Sequence, residues 1–138
     1  MTNMKKYTEN LLIEEGYEIQ NAEITSVSLS SLDYCCLSLN IGLQGAGWGC
    51  VYGGYCLGKM YPDSYEKDTY ECSAAGMEAI MRIMDVVGVS KLEDMKGKYI
   101  RVATKGWGSS VKIIGNIIKD RWFDYDSYFK DKKKEATE

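Results

Sequence analysis

The sequence predicts one α+β domain, in which four to five mainly antiparallel strands form a sheet and one amphipathic helix packs on a face of it. Two observations predict this fold: apolar and polar residues alternate with period two in several segments, and a single long segment has helical spacing. A chain of 138 residues with 45% hydrophobic and 27% charged residues has the composition of a globular domain. We expect an N-terminal extension over 1–16, the domain over 17–124 and a charged C-terminal tail over 125–138.

The N-terminal part predicts a short peripheral helix followed by two strands. Residues 5–15 contain one brief apolar run and end at Gly16, a residue typical of helix ends. Over 17–29 the apolar residues alternate with a one-residue slip at each break, which indicates a long strand with bulges. A serine-rich turn is expected over 28–33, and residues 35–43 alternate again as a half-buried strand.

The glycine-rich segment after the turn at 44–47 gives conflicting signals. Residues 48–57 contain aromatic and β-branched residues, which favour a strand, whereas four glycines within 47–54 weaken one. Glycine inside a strand is typical of a bulge or of a close approach by another backbone or a ligand. We therefore expect a bent or bulged strand, followed by a polar loop over 58–67.

The clearest helix is predicted between residues 68 and 88. Asp68 and Glu71 have the spacing of a capping box, and Gly88 stands where a left-handed C-terminal residue belongs. The apolar and small residues between them recur every three or four positions, which gives the helix one buried face. The members of that face are Cys72, Gly76, Ile80, Ile83, Met84 and Val87.

The C-terminal part predicts one more helical turn and two strands. Ser90 repeats the capping signature, so residues 91–96 form a helical turn that Gly97 ends. Residues 98–104 and 110–119 are the predicted strands, although 117–120 fit the start of a helix equally well. Apolar content falls after Phe129, and we expect the last nine residues to fray.

The composition excludes several classes of enzyme. The sequence contains no histidine, which removes Ser-His-Asp and Cys-His catalysis and histidine-ligated metals. Its five cysteines include no C-x-x-C pair and favour buried thiols over a zinc site. The glycines of 45–49 lack the phosphate-loop signature, the acids of 63–71 are placed to cap a helix, and Cys56 has only Lys59 as a nearby base. We predict a non-enzymatic protein with no cofactor and no metal.

Location and charge restrict the partners. No apolar run approaches the ~20 residues of a membrane helix and no signal peptide is visible, so the sequence predicts a cytoplasmic protein with no membrane partner. Residues 1–85 hold 5 basic and 12 acidic side chains, whereas residues 86–138 hold 12 and 8. Such asymmetry steers a charged partner towards one side of the molecule.

The aromatic content favours a binding surface, with two alternatives. The chain has 11 tyrosines and 3 tryptophans, which give contact area at low rotamer cost. In the first alternative a protein partner is bound by Trp48, Tyr52 and Tyr55 with the acids Asp63, Glu66 and Asp68. In the second a nucleotide or single strand stacks on aromatic residues and meets basic ones, from the set Tyr99, Arg101, Lys105, Trp107, Lys112, Arg121 and Trp122. An unpaired edge strand would also favour a homo-oligomer.

Five blocks of this sequence resemble a family of small, uncharacterised bacteriophage and prophage proteins. The blocks are 19–24, 53–57, 84–89, 97–102 and 115–124, so the resemblance covers about residues 17–124. None of them is a catalytic signature. By analogy the resemblance implies a phage accessory factor that acts on host machinery.

The function expected from this resemblance is inhibition of a host antiviral defence component. The target would be a protein or ribonucleoprotein such as a CRISPR effector, whose surface the chain occludes. One alternative is a sponge that binds a nucleotide signal or single-stranded nucleic acid. Another is an accessory protein of phage replication.

Overall fold

The computed structural model describes residues 6–33, 36–61, 69–106 and 110–130. Three helical elements and seven strands are bounded as follows: α1 Glu9–Glu14, β1 Glu18–Asp33, β2 Cys36–Gly45, β3 Trp48–Tyr61, β4 Thr69–Cys72, α2 Ala74–Val87, a 3₁₀ turn Leu92–Met95, β5 Tyr99–Thr104, β6 Ile113–Gly115 and β7 Trp122–Asp124. Residues 125–130 are also helical. None of the helices in these ranges has the length and apolarity needed to cross a bilayer.

The strands form one antiparallel sheet in the order β4-β3-β2-β1-β5-β6-β7. The first four strands form a meander, and α2 carries the chain back to the other side of β1, where β5, β6 and β7 follow. This confirms the α+β class and its antiparallel sheet. The expected four to five strands are corrected to seven, because the short strands β4 and β7 add to the two ends of the sheet.

The sheet curves until its two sides approach each other. Five strand-to-strand steps separate β3 from β7, which would be about 24 Å in a flat sheet. Curvature shortens this distance so far that one side chain of β3 reaches the other end of the sheet. The Tyr52 hydroxyl donates to the carbonyl of Lys112 at 3.2 Å and lies 3.4 Å from the carbonyl of Phe123. The sheet is therefore a partly closed barrel whose gap is bridged by a side chain.

Two cores lie on the two faces of the sheet. The main core fills the concave face, where α2 and the helix 125–130 cover the strands. The smaller core lies on the outer face under α1 and contains Leu12, Ala103, Ile113 and Trp122. Tyr125 and Tyr128 are 1% and 0% exposed in the main core, so the expected boundary at residue 124 does not mark the end of the folded unit.

The start of α2 differs from the expected capping box. Ser73 is the N-cap, and its hydroxyl accepts from the amide of Gly76 at 3.0 Å. Glu71 lies in β4, paired with Lys59 of β3, because 69–72 add to the sheet before the helix begins. The expected end is confirmed: Gly88 is left-handed, with φ 90°, and its N–H bonds to the carbonyl of Met84.

Two further expectations differ from the structure, and a third falls almost entirely outside the described residues. The serines of 28–33 continue β1 and pair with 36–40 of β2, so the expected turn there is wrong. The strand expected over 110–119 is reduced to β6, because the Asn116 side chain accepts from the amides of Ile118 and Lys119 and forms a local turn. The fraying expected for the last residues falls on 131–138, outside the described ranges, apart from Lys130.

The bent strand expected over 48–57 is confirmed as a bulge in β3. The register passes from Asn40 opposite Gly53 to Ser38 opposite Cys56, so β3 holds an extra residue. Gly53 and Gly54 take positive φ values of 107° and 87°, and a Cβ at Gly53 would overlap a β2 carbonyl. The bulge turns Tyr55 towards the main core, on the same side as Tyr52.

Candidate ligand-binding site

A cavity of about 350 Å³ opens at one end of the curved sheet, on its concave face. The other end of that face is covered by α2. The start of β1, the start of β3 and the end of β5 meet here, because antiparallel neighbours place these ends together. The lining residues are Glu18, Gln20, Ala46, Trp48, Gly49, Cys50, Val102, Thr104, Gly106 and Val111. A cavity of this volume in the mouth of a barrel is typical of a small-ligand site.

Trp48 forms a fixed aromatic wall of the cavity. Ala46 and Gly47 make a two-residue turn between β2 and β3, which places Trp48 directly opposite Gly45. The indole ring lies across Gly45, where a Cβ would overlap it. Its Nε1 donates to Oε1 of Gln20 at 2.8 Å. Contacts at both the ring and the N–H therefore hold the orientation of the indole.

The polar groups of the cavity come from β1 and β5. An indole N–H only donates, so Gln20 must present Oε1 to Trp48, which leaves its amino group as a donor for a ligand. Glu18 supplies a carboxylate and Thr104 a hydroxyl. Among the described lining residues none is basic. The cavity therefore suits a neutral or positively charged group better than a phosphate.

Cys50 is a wall of the cavity and a poor nucleophile. Burial raises the pKa of its thiol, which keeps the sulfur protonated at neutral pH. No group of three or more metal-binding side chains is found within the described ranges. The arrangement can therefore bind and orient a ligand group through stacking and hydrogen bonds, without an activated nucleophile.

The residues predicted to bind a protein partner are separated by the structure. Trp48 lines the cavity, whereas Tyr52 is 1% exposed and its hydroxyl bridges the sheet. Burial at this level corrects the expectation that the Tyr52 side chain contacts a partner directly. Tyr55 is half-buried in an aromatic cluster below the cavity. Asp63, Glu66 and Asp68 lie outside the described residues.

The aromatic cluster ties the C-terminal helix to β3. The ring of Tyr55 stacks on that of Phe129 with centroids 5.1 Å apart, and its hydroxyl donates to Asp126 at 2.8 Å. Lys130 also contacts Asp126, at 2.9 Å. These hydrogen bonds, from Lys130 first and then from Tyr55, hold the pKa of Asp126 below its usual value.

Two of the predicted nucleotide-binding residues, Arg101 and Trp122, contact each other. Arg101 donates to the carbonyls of Asn116 at 2.8 Å and Lys119 at 3.0 Å, and its guanidinium lies 4.7 Å from the centroid of the Trp122 ring. Trp122 is 9% exposed and belongs to the smaller core. Stacking of a base on Trp122 would require displacement of Arg101, so this part of the prediction is corrected.

The other members of that set do not converge on one site. Lys112 faces Asp126 at 3.5 Å, and Arg121 contacts the carboxylate of Asp85 at 2.8 Å. Lys105 lies 4.8 Å from the ring centroid of Tyr17. Tyr99 is 57% exposed on the outer face of the sheet. Trp107 lies outside the described residues.

Sequence reasoning missed most of the cavity. Gln20, Ala22 and Ile24 point to the concave face, whereas Ile19 packs in the smaller core under α1. The slip expected between Ile19 and Ala22 is absent, because β1 pairs with β5 in an unbroken register from Glu18 to Glu23. An available signal was the polar pair Glu18 and Gln20 at the start of a period-two series that continues with the apolar residues Ala22 and Ile24. Thr104 and Val111 gave no comparable signal, because the curvature of the sheet brings them to the site.

Comparisons with protein-family models, with curated proteins and with solved structures find no match to this chain. The likeness to phage proteins therefore stays a prediction. The function is inferred from the geometry of the cavity and from the chemistry of its walls.

Proposed function

We propose that this chain is a non-catalytic binding protein that holds a ligand group in the cavity at the open end of its curved sheet. The cavity itself carries the proposal: it combines a fixed indole wall, apolar side chains and a few polar groups. This combination is typical of binding sites, in which apolar walls give affinity and sparse polar groups give orientation. The described side chains around it leave a volume of about 350 Å³ for a ligand.

The chemistry of the walls supports binding over catalysis. General acid–base catalysis needs a group with a pKa tuned near neutrality, and nucleophilic catalysis needs an activated nucleophile. Cys50 is held as a neutral thiol by burial. Glu18 is the one carboxylate among the described lining residues, and the sequence contains no histidine to act as its partner.

A protein partner is the ligand that this geometry favours over a nucleotide. A single side chain of a host protein, inserted beside Trp48, would act as an anchor. The surrounding surface of the host protein would then dock around the cavity and exclude water from it. We propose occlusion of a host defence protein as the use of this site. A nucleotide sponge has less support, because Arg101 and Trp122 contact each other. A role in phage replication would use the same cavity.

The proposal is tested by using Cys50 as a reporter of occupancy. The rate of its alkylation by iodoacetamide is measured by peptide mass mapping, with Cys56 as an internal control because that thiol is exposed and lies outside the cavity. Methylguanidine, butylamine, indole and phenyl phosphate are added separately at millimolar concentration. We expect at least one of the first three compounds to slow the alkylation of Cys50 and to leave the alkylation rate of Cys56 unchanged.

The matched control is Trp48→Ala, which removes the indole wall. In this variant we expect the same compound to lose its protection of Cys50. If none of the four compounds changes the Cys50 rate in the unaltered protein, or if protection persists after Trp48→Ala, the cavity is not the binding site and the proposal is wrong.

A further inference from the structure

Among the described residues, none pairs with the second edge of strand β3 beside the cavity. Its neighbour β4 pairs only with Gly58–Tyr61, at the far end of β3. Over 48–57, β3 is paired with β2 on one side. The Tyr52 side chain points to the concave face, and its hydroxyl donates to the carbonyl of Lys112.

The backbone groups at this edge belong to Gly49 and Val51. In a hairpin with a two-residue turn, the closing pair exchanges hydrogen bonds, and here that pair is Gly45 and Trp48. Bonded and non-bonded pairs then alternate, so the N–H and C=O of Gly49 and of Val51 point away from β2. Within 6–33, 36–61, 69–106 and 110–130, no backbone hydrogen bond is formed on that side of these two residues.

The open edge and the cavity meet at Gly49 and Cys50. Gly49 lines the cavity, and Val51 is 66% exposed on the outer face. A strand added to this edge in antiparallel register would bond to Gly49 and Val51. Because side chains alternate between faces, the added residue opposite Cys50 would point to the concave face and into the cavity.

The charge of the cavity selects the side chain that enters it. Glu18 is the charged group among the described lining residues, and the ring of Trp48 offers a face for a cation. The apolar walls at Val102 and Val111 suit the alkyl stem of a long basic side chain. Residues 1–85, which include β1 to β4, hold 5 basic and 12 acidic side chains, and this excess also favours a basic partner.

We propose that an extended segment of a partner protein adds as a strand to β3 at Gly49–Val51 and inserts one lysine or arginine side chain into the cavity. This inference rests on the proposed function and names its partner. Main-chain hydrogen bonds would supply affinity, and the inserted basic side chain would supply specificity, as in other cases of strand addition.

The test uses short peptides and the ¹⁵N-labelled full chain. The probe is acetyl-Thr-Val-Arg-Val-Thr-amide, with lysine, norleucine or glutamate replacing the arginine in matched peptides. We expect the arginine and lysine peptides to bind, to shift the indole N–H of Trp48 and to slow hydrogen exchange of the Gly49 and Val51 amides. Glu18→Gln should weaken the arginine peptide about 5-fold and leave the norleucine peptide unchanged.

Methylation of the peptide backbone separates strand addition from simple insertion of a side chain. Methyl groups on the nitrogens of the two valines remove the N–H groups that bond to Gly49 and Val51. Methylation of the central arginine nitrogen removes an N–H that points away from β3. We expect the first peptide to lose binding and the second to retain it. Val51→Pro should have the same effect as the first, and the methylated peptides test the point without any change to the protein.

Any one of the following results would overturn this inference. The first is that the glutamate peptide binds as tightly as the arginine peptide. The second is that peptides bind without slowing hydrogen exchange of the Gly49 and Val51 amides. The third is that, without peptide, sedimentation shows a self-associated form in which these two amides are protected from hydrogen exchange; this would assign the edge to a second copy of the chain. If methylguanidine protects Cys50 while all peptides fail, strand addition is wrong and the cavity proposal stands; if no probe acts at the cavity, both are wrong.

Discussion

Two glycine–tryptophan pairs in this protein have the same local geometry and different surroundings. Trp48 lies opposite Gly45 in the hairpin of β2 and β3, and Trp122 lies opposite Gly115 across β6 and β7. In each pair the indole ring lies over the glycine, where a Cβ would overlap it. Each ring thus covers a glycine on the neighbouring strand, an arrangement that stabilises sheets locally.

The surroundings determine what each ring is available to do. The Trp122 Nε1 donates to Asp120 at 2.6 Å, and Asp120 also accepts from the backbone of Glu9 in α1. Arg101 covers the ring of Trp122, which is 9% exposed. Trp48 instead forms a wall of the cavity. The same pair therefore serves packing where the chain covers the ring, and it leaves a binding surface where the ring is uncovered.

The largest difference is expected when each ring is removed. Trp122→Ala should destabilise the protein by about 3–5 kcal/mol, because it empties a buried position between α1 and the sheet. Trp48→Ala should cost about 1–2 kcal/mol, because the ring is half-buried. Urea unfolding followed by circular dichroism measures both. Equal losses of unfolding free energy for the two variants would show that Trp48 is a core residue like Trp122, and the distinction between the two rings would be wrong.

An intermediate difference is expected when a methyl group is added beneath each ring. In Gly115→Ala the ring has no space into which it can move, and we expect a loss of about 1–3 kcal/mol from overpacking. In Gly45→Ala the Trp48 ring can swing into the cavity, so the free energy of unfolding should change less. The displaced ring should fill the cavity and break the bond to Gln20, so that no small compound protects Cys50 from alkylation. Retained protection in Gly45→Ala would contradict the account of the Trp48 wall.

The smallest effect is expected when the pH is lowered, and it concerns the stability that Asp126 contributes on the side of the sheet that carries Trp48. The native pKa of Asp126 is lowered by Lys130 and Tyr55, so this carboxylate contributes stability above its unfolded pKa of about 3.9. That contribution is lost as the pH falls through the lowered native value. Asp126→Asn should reduce the slope of stability against pH in this acidic window and leave it unchanged near neutrality. An unaltered acid slope would show that Asp126 does not hold the helix 125–130 to β3.

Part of the fold was predictable because its signals are local. The alternation of β2, the strand expected over 98–104 and the C-terminal position of Gly88 depend on neighbouring residues, and these features are confirmed. Strand β4 was missed because Asp68 and Glu71 imitate a helix start. The helix 125–130 was missed because its burial depends on contacts with the distant residues Tyr52 and Tyr55.

The candidate site was less predictable for the same physical reason. Trp48 was identified from its type and its glycine-rich neighbourhood, and it lines the cavity. Gln20, Thr104 and Val111 are brought to it by the curvature of a seven-stranded sheet, which no local pattern specifies. Arg101 and Trp122 have the composition of a stacking site, but their cross-strand positions direct them to each other.

Binding at the Trp48 wall can be measured by following both tryptophans in one experiment. The indole N–H signals of Trp48 and Trp122 are assigned in the ¹⁵N-labelled protein by the variants above, and methylguanidine, butylamine and indole are then titrated separately. We predict that at least one compound moves the Trp48 signal in a saturable manner and leaves the Trp122 signal in place. A Trp48 signal that none of the compounds moves, or equal shifts of both signals, would contradict a binding site at the open end of the sheet.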